Sequence, residues 1–306
     1  MRGREETAKE TVAYWGYRTM EWLALTLPQK SGRRAFEVLG RIAHRSMPNL
    51  RATVAANQAR VIGTYVDDPR VSTATREAFE LYARYWFDAF SIGTLSLQEF
   101  NRRTLIVGLD LVDEALGAGK GCICVLPHTG NWDVGGAWFG LNGYPIAAVA
   151  EELKPRRLFE LFVKHRQRMG IKVVGLSGHV GTQLKTLLAQ NHMVALVADR
   201  DLSGRGIEVE MFGAPRKIPA GPALLSLTTG APILCCPTYT LKDGWEVRFE
   251  GPLEIERTGD LRADVAALTR LMGERFERAI ASRPTDWHMF QPAWGEAAEA
   301  PAAARR

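Results

Sequence analysis

The sequence lacks an apolar run long enough to cross a bilayer. Spanning the hydrocarbon core takes about 18 consecutive apolar residues or more, and polar residues interrupt every apolar stretch before that length. The charged residues 1–6 lead into no hydrophobic segment with a cleavage site, so they do not have the pattern of a signal peptide. We therefore expect a peripheral protein on the cytoplasmic face of the plasma membrane.

Cysteine is scarce, and metal-binding and nucleic-acid-binding motifs are missing. Cys122, Cys124, Cys235 and Cys236 lie in two apolar runs without a C-x-x-C pair, which favours buried free thiols in a reducing compartment. The six histidines form no H-E-x-x-H motif, so we expect no metal ion. The net charge of +5 is spread along the chain. This suits an anionic ligand or surface but not nucleic acid, which needs a clustered basic footprint.

Strand-like and helix-like stretches alternate from Thr104 onward, whereas the first 100 residues are helical in pattern. Strands are predicted at 104–108, 121–126, 145–150, 172–175, 193–198, 231–238 and 244–250. This alternation predicts an α/β fold with a mixed, mainly parallel central sheet, helices on both faces and a helical N-terminal region. We expect a single domain over 1–296, with its α/β core at 104–294 and a disordered tail at 297–306.

A histidine directly follows one of the predicted buried strands. The apolar run 122–126 ends at Pro127, which has no backbone N–H, and His128 comes next. Because ligands bind at the carboxyl ends of the strands in open α/β sheets, His128 is expected at the working edge of the sheet. Asp133 follows at the start of a predicted helix. On spacing alone this pair is a weak signal, and a helix-capping histidine is the alternative.

Other charged residues follow neighbouring strands in the same way. Glu151 ends the strand at 145–150, and Arg166 lies on the last turns of the next helix. Asp199 and Arg200 follow the strand at 193–198. A salt-bridge cluster at the strand end is an alternative explanation for this second pair. Arg166, on a helix with several basic residues, is alternatively a solvated surface residue.

Taken together and in this order, the motifs resemble a known family. The matching segments are H-T-G-N-W-D (128–133), A-V-A-E-E-L-K-P (148–155), V-A-L-V-A-D-R-D-L (194–202), F-G-A-P-R-K-I-P-A-G-P (212–222) and D-W-H-M-F-Q-P-A-W (286–294). They resemble the lysophospholipid and lipid A acyltransferase superfamily and, within it, the phosphatidylinositol mannoside acyltransferases. The resemblance implies transfer of an acyl chain, usually palmitoyl, from acyl-CoA to a mannose hydroxyl of a phosphatidylinositol mannoside.

The resemblance also implies roles for individual residues. The family's general base falls on His128, its motif carboxylate on Asp133, and the carboxylate that orients the base on Asp199, where family members carry Glu. A polar residue of the acceptor pocket falls on Glu151, and an arginine of the same pocket on Arg166. The remaining residues that we assign to substrate binding are Arg200, Asn131, Thr129 and His288.

The chemistry of such a transfer suits these residue types. A sugar hydroxyl attacks a thioester only if a base whose pKa lies near 7 takes its proton, and a carboxylate on the other nitrogen of a histidine fixes its tautomer. The turn 129–131 or a nearby helix start is expected to supply N–H groups for the oxyanion. No Ser or Cys is placed as a nucleophile, so we expect neither a covalent acyl-enzyme nor a cofactor besides the donor substrate.

The partners implied are acyl-CoA, an anionic glycophospholipid acceptor and a membrane surface. Residues 8–28, rich in Trp and Tyr, predict either a helix packed on the core or an interfacial helix on lipid. We expect the membrane contact there and at Arg33, Arg34, Arg41 and Arg45. Two other functions stay open: lauroyl or myristoyl transfer to a lipid A precursor from acyl carrier protein, and a non-catalytic lipid-binding protein.

Overall fold

Helices form the N-terminal third of the chain. The computed structural model describes residues 6–176 and 178–294, so the predicted tail at 297–306 lies outside the described residues. The first five helices are α1 (Ala8–Thr26), α2 (Gln29–Ser46), α3 (Pro48–Ile62), α4 (Pro69–Ser91) and α5 (Leu97–Arg103). Local signals set their ends: Thr7 and Glu10 form a capping box on α1, and Gly63 ends α3 at a φ of 74°.

Strands and helices alternate through the rest of the chain, as predicted. The strands are β1 (Thr104–Val107), β2 (Cys122–Leu126), β3 (Ile146–Ala150), β4 (Lys172–Gly175), β5 (Met193–Val197), β6 (Ile207–Met211), β7 (Ala214–Ile218), β8 (Ile233–Cys235), β9 (Thr238–Thr240) and β10 (Trp245–Arg248). The helices are α6 (Leu109–Gly117), α7 (Trp132–Leu141), α8 (Arg156–Arg168), α9 (Val180–Ala189), α10 (Gly221–Thr229) and α11 (Leu261–Ser282).

A five-stranded sheet in the order β4-β3-β5-β2-β8 forms the centre of the fold. All its neighbouring strands pair in parallel, so the carboxyl ends of the five strands lie at one edge. Alternate residues of β2 belong to two different cores, which shows that helices cover both faces. Ile123 and Val125 pack with residues of α9, α10 and α11, whereas Cys124 and Leu126 pack with residues of α6 and α7. The predicted fold class is confirmed.

The structure differs from the sequence prediction in two places. The predicted strand 231–238 divides into β8 and β9, because Pro237 cannot donate a ladder hydrogen bond. The strand β9 pairs with β10, which also pairs with β1, in a separate three-stranded sheet. The hairpin of β6 and β7 was not predicted, although the alternation I-E-V-E-M is a period-two strand signal.

The helix α4 connects the N-terminal helices to the core. Its Asp88 is buried and accepts hydrogen bonds from Arg33 Nε of α2 at 2.7 Å and from Trp245 Nε1 of β10 at 2.9 Å. Arg33 is therefore part of the protein interior. The sequence-based expectation that Arg33 contacts the membrane is wrong. Across residues 6–176 and 178–294, no helix has both the length and the apolar character needed to span a membrane.

Candidate active site

His128 and Asp199 form a hydrogen-bonded pair at the carboxyl edge of the central sheet. They follow β2 and β5, whose parallel pairing places Leu126 opposite Val197 and so brings both residues to the same edge. His128 Nδ1 contacts Asp199 Oδ1 directly. The Asp199 side chain is fully buried, whereas the imidazole is 23 % exposed. Because Nδ1 is engaged by Asp199, Nε2 is the ring nitrogen that can accept a proton from a substrate.

The buried Asp199 carboxylate is held as an anion. Its second oxygen, Oδ2, accepts a hydrogen bond from Trp287 Nε1 at 2.8 Å, and its backbone oxygen accepts one from Arg216 Nη2 at 2.5 Å. Burial alone would raise the pKa of Asp199, but the charge and hydrogen bond of His128, the charge of Arg216 and the Trp287 donor outweigh it. The pKa therefore lies well below its usual range, and the pair can stabilise an imidazolium.

Asp133, the carboxylate of the sequence motif, belongs to a different cluster. Its Oδ1 accepts a hydrogen bond from Arg166 Nε at 2.6 Å, and its Oδ2 accepts one from the Tyr85 hydroxyl at 2.5 Å. Burial would raise the pKa of Asp133, but the Arg166 charge and these hydrogen bonds lower it below the ordinary value. Arg166, which we expected in the acceptor pocket, thus neutralises Asp133 at the start of α7.

The loop after β2 is tied down by its own polar groups. The Thr129 backbone N–H donates to Pro127 O at 2.7 Å, and the buried Asn131 caps α7 by accepting from Val134 N at 3.1 Å. Asn131 Nδ2 also donates to the backbone oxygen of Tyr85 at 3.0 Å. Thr129 and Asn131 are 0 % and 2 % exposed. The structure therefore places these two predicted substrate-binding residues in the scaffold of the loop.

His288 supports the same loop from inside the protein. Its backbone N–H donates to His128 O at 2.7 Å, and its ring Nε2 lies 2.9 Å from Gly130 O. Burial lowers the pKa of His288 to about 3, so the ring is neutral and donates through Nε2 at physiological pH. We expected His288 to bind substrate, but its position is beneath the loop.

Glu151 and Arg200 lie at the solvent-facing rim of the site. Arg200 Nη2 donates to Glu151 Oε2 at 2.8 Å, and Arg200 Nη1 donates to Gln291 Oε1 at the same distance. Their side chains are 51 % and 25 % exposed, respectively. Of the six residues that we assigned to substrate binding, these two form the accessible polar surface.

An apolar cavity opens beside the pair. It has about 670 Å³ of empty volume, part of it open to solvent, and lies between β2, β3 and β5 of the central sheet, helix α7, and β9 and β10. Trp132 lines the cavity, and its ring centroid lies 5.2 Å from that of His128. Gly135 and Gly136 of α7 line it as well. The cavity was not predictable, because its walls come from two sheets and a helix that meet only in the folded chain.

Asp286 supports the loop through its main chain, and the pKa of its side-chain carboxyl is raised. Its carbonyl accepts from Gly130 N at 2.9 Å, and its Oδ2 accepts from Thr240 N at 3.0 Å. The residue is 2 % exposed. Burial raises the pKa of Asp286 from 3.8 to about 6, so between these two pH values the folded chain holds a proton there that the unfolded chain has released.

We expect Asp286→Asn to stabilise the protein relative to the native chain, increasingly as the pH rises from 4 to 6. Ionising this raised-pKa carboxyl costs the folded state up to about 3 kcal/mol by pH 7, and Asn carries no charge at any pH. Melting temperatures of both proteins from pH 4 to pH 8 measure the difference, with the exposed Asp67→Asn as control. A difference that is constant over this range would contradict the prediction.

The chain is similar in sequence to a known protein family and to several known proteins. Residues 3–296 match the family model described as bacterial lipid A biosynthesis acyltransferase. The chain is 37 % identical over 295 residues to a phosphatidylinositol mannoside acyltransferase of Mycobacterium tuberculosis, covering 93 % of this chain and 89 % of that protein. It is 36 % identical to the protein of the same name from Mycolicibacterium smegmatis, over 78 % of this chain and 77 % of the relative. A lipid A biosynthesis acyltransferase of Haemophilus influenzae is 22 % identical, over 68 % and 64 % of the two chains.

These matches cover nearly the whole chain, and they confirm the resemblance seen in the sequence motifs. The chain is an acyltransferase and belongs to the bacterial lipid A biosynthesis acyltransferase family, together with the phosphatidylinositol mannoside acyltransferases that it resembles.

Proposed function

We propose that the protein transfers a long acyl chain, palmitoyl in the first instance, from acyl-CoA to a mannose hydroxyl of a phosphatidylinositol mannoside. The observation that carries the proposal is the position of the His128–Asp199 pair beside an apolar cavity. The names of the mycobacterial relatives supply the acceptor. A cavity with apolar walls suits a hydrocarbon chain, since burying each CH₂ group stabilises binding by about 0.8 kcal/mol.

In this mechanism His128 is the general base. Its Nε2 takes the proton of the sugar hydroxyl while the hydroxyl oxygen attacks the thioester carbonyl, and Asp199 stabilises the imidazolium through Nδ1. The tetrahedral intermediate then expels the CoA thiolate, which receives the proton from His128. The products are the sugar ester and the CoA thiol. The four cysteine thiols are buried and take no part in the reaction.

The oxyanion is assigned to the first turn of α7. Two of the N–H groups considered from the sequence are already used, because Thr129 N donates to Pro127 O and Gly130 N donates to Asp286 O. The start of α7 presents further N–H groups and the positive end of the helix dipole. Arg166 neutralises Asp133 in this turn, so the carboxylate there does not repel the developing negative charge.

Glu151 and Arg200 are proposed to bind the polar part of the acceptor. They lie at the exposed rim, and a carboxylate and a guanidinium together can accept from sugar hydroxyls and donate to sugar or phosphate oxygens. Arg166 is assigned to the cavity wall instead, because it lines the apolar cavity and holds Asp133 there through its Nε and Nη2.

The proposed reaction is tested by incubating the purified protein with radiolabelled palmitoyl-CoA and a phosphatidylinositol mannoside. A labelled, more apolar glycolipid is the expected product. A parallel incubation with palmitoyl-acyl carrier protein separates the two donors. Label transferred only from the carrier protein would overturn the acyl-CoA assignment. Binding of both substrates without any product would contradict the proposed reaction.

Membrane attachment is proposed to occur through α1 and α2. On α1, Val12, Trp15, Trp22 and Leu25 recur at helical spacing and are half exposed or more. Three apolar residues of α2 are also exposed: Val38, Leu39 and Ile42. Single exposed apolar residues are ordinary on a protein surface, but a tryptophan-bearing helical stripe is typical of an interfacial helix.

We expect the double variant Trp15→Ser, Trp22→Ser to lower binding to anionic vesicles by about tenfold, because it removes the aromatic groups that enter the interface. Co-sedimentation with phosphatidylinositol-containing and pure phosphatidylcholine vesicles measures the effect. The control is Leu105→Ser, a similarly exposed apolar residue on β1. Equal binding by the double variant and the control would show that α1 does not contact the membrane.

Binding of the native protein should also weaken as salt screens Arg34 and Arg45, with a Debye length of about 8 Å at physiological ionic strength.

A further inference from the structure

A segment near the end of the described chain, residues 286–288, runs along the loop that carries His128. Thr129 and Trp287 form an isolated antiparallel bridge. Two backbone hydrogen bonds of 2.7 and 2.9 Å flank the bridge and join residues 128 and 130 to this segment. The segment is thus paired with the loop in a defined register, which fixes the direction of the Trp287 side chain relative to the His128 backbone.

The Trp287 side chain reaches the other half of the pair. Its indole Nε1 donates to Asp199 Oδ2 at 2.8 Å, while Asp199 Oδ1 contacts His128. Trp287 is 1 % exposed, and the Arg216 guanidinium lies over its ring at 5.1 Å from the centroid. Arg216 in turn donates to the backbone oxygen of Asp199. One three-residue segment therefore holds both the base and the carboxylate that faces it.

We propose that Trp287 is a positioning residue for acyl transfer, which acts by binding the Asp199 oxygen that His128 does not use. The inference rests on the proposed function, in which His128 is the general base. A carboxylate can rotate about its Cβ–Cγ bond, and a donor on Oδ2 fixes the rotation that points Oδ1 at the imidazole. The indole is a neutral donor, so it orients the carboxylate without cancelling its charge.

An orienting role and a packing role depend on different atoms of Trp287. The indole N–H contacts the Asp199 carboxylate, whereas the ring carbons fill the space beneath the Arg216 guanidinium. A variant that keeps the bicyclic ring and loses only the N–H therefore separates the two roles.

The test is Trp287→Phe, which keeps an aromatic ring and lacks the N–H. We expect kcat to fall about ten- to a hundredfold at neutral pH, as for the loss of a hydrogen bond to a charged group, with little change in KM for palmitoyl-CoA. If the smaller ring impairs folding, 3-benzothienylalanine incorporated at position 287 keeps the bicyclic shape with sulfur in place of the N–H, and the same result is expected.

Trp294→Phe is the matched control. The Trp294 ring lies edge-to-face against Trp287, with centroids 5.9 Å apart, and the Arg216 guanidinium lies over it as well. Among the residues that the structure describes, its buried Nε1 has no hydrogen-bond partner. Losing this N–H should leave kcat close to that of the native protein.

A second readout separates this inference from the proposed reaction. The Nδ1 proton of His128, followed by ¹H NMR, reports the hydrogen bond to Asp199 without turnover. Its resonance should shift in both variants at position 287 and stay in place in Trp294→Phe. If that shift occurs in a protein that transfers no palmitate, only the proposed reaction is contradicted. Native kcat and an unmoved resonance in both variants at position 287 would overturn the inference. So would a loss of activity in Trp287→Phe that the 3-benzothienylalanine variant, which keeps the bicyclic ring, does not share.

Discussion

His128→Ala is expected to reduce acyl transfer by about 10²- to 10⁴-fold, the range that a general base contributes, while the protein still folds. The imidazole is the group of the site that combines an accessible nitrogen with a fixed carboxylate partner. Alanine removes no residue that lines the apolar cavity. The defect should therefore appear in kcat, with KM for palmitoyl-CoA nearly unchanged.

Steady-state rates with palmitoyl-CoA and the mannoside acceptor measure this loss, and thermal unfolding checks the fold. His179→Ala is the control, since His179 is exposed before α9. If the purified His128→Ala protein turns over at close to the native rate, the base has been misassigned and the mechanism is wrong.

Asp199→Asn is expected to cost nearly as much activity, for a reason that depends on Trp287. Because Trp287 donates to one atom of the side chain, the amide oxygen of Asn must face the indole and its NH₂ group must face His128 Nδ1. The imidazole proton then moves to Nε2, the nitrogen that has to accept the substrate proton. The wrong tautomer and the missing charge together predict a loss of about 10²- to 10⁴-fold in kcat.

Asp133→Asn is the matched comparison, because it makes the same chemical change at a second largely buried carboxylate that accepts two side-chain hydrogen bonds. Arg166 then lacks its anionic partner in a largely buried position, which destabilises the fold by about 3 kcal/mol. We expect a fall in melting temperature of roughly 5 °C or more and a smaller loss of activity than in Asp199→Asn. Turnover and thermal unfolding of both variants decide the roles. A fully active Asp199→Asn would show that Asp199 is not the orienting carboxylate.

Much of the site was predictable because it depends on patterns within single segments. An apolar run closed by Pro127 indicated a buried strand that ends at His128, and a second run placed Asp199 at the end of another strand. Parallel strands bring such ends to one edge, so the two residues were expected near each other before any coordinates. The structure adds the direct contact between Nδ1 and Oδ1, made here by the shorter Asp.

The sequence could not tell which charged residues pair with each other. Arg166 was expected in the acceptor pocket, and the fold pairs it with Asp133 in the wall of the apolar cavity, a pairing that no sequence pattern indicated. His288 and Asn131 have polar side chains of the kind that bind sugars, but the fold buries both in loop-supporting hydrogen bonds. Side-chain partners depend on distances between segments far apart in the chain, and no local spacing reports those distances.

What the sequence determined by itself is the order of strands and helices and the residues at the strand ends, because strand termination and helix capping depend on a few neighbouring residues. Only the tertiary structure decided the apolar cavity, the Tyr85–Asp133–Arg166 cluster and the contact of Trp287 with Asp199. Each of these forms where separate elements pack together. Their energetics come from burial and desolvation, which are properties of the folded chain as a whole.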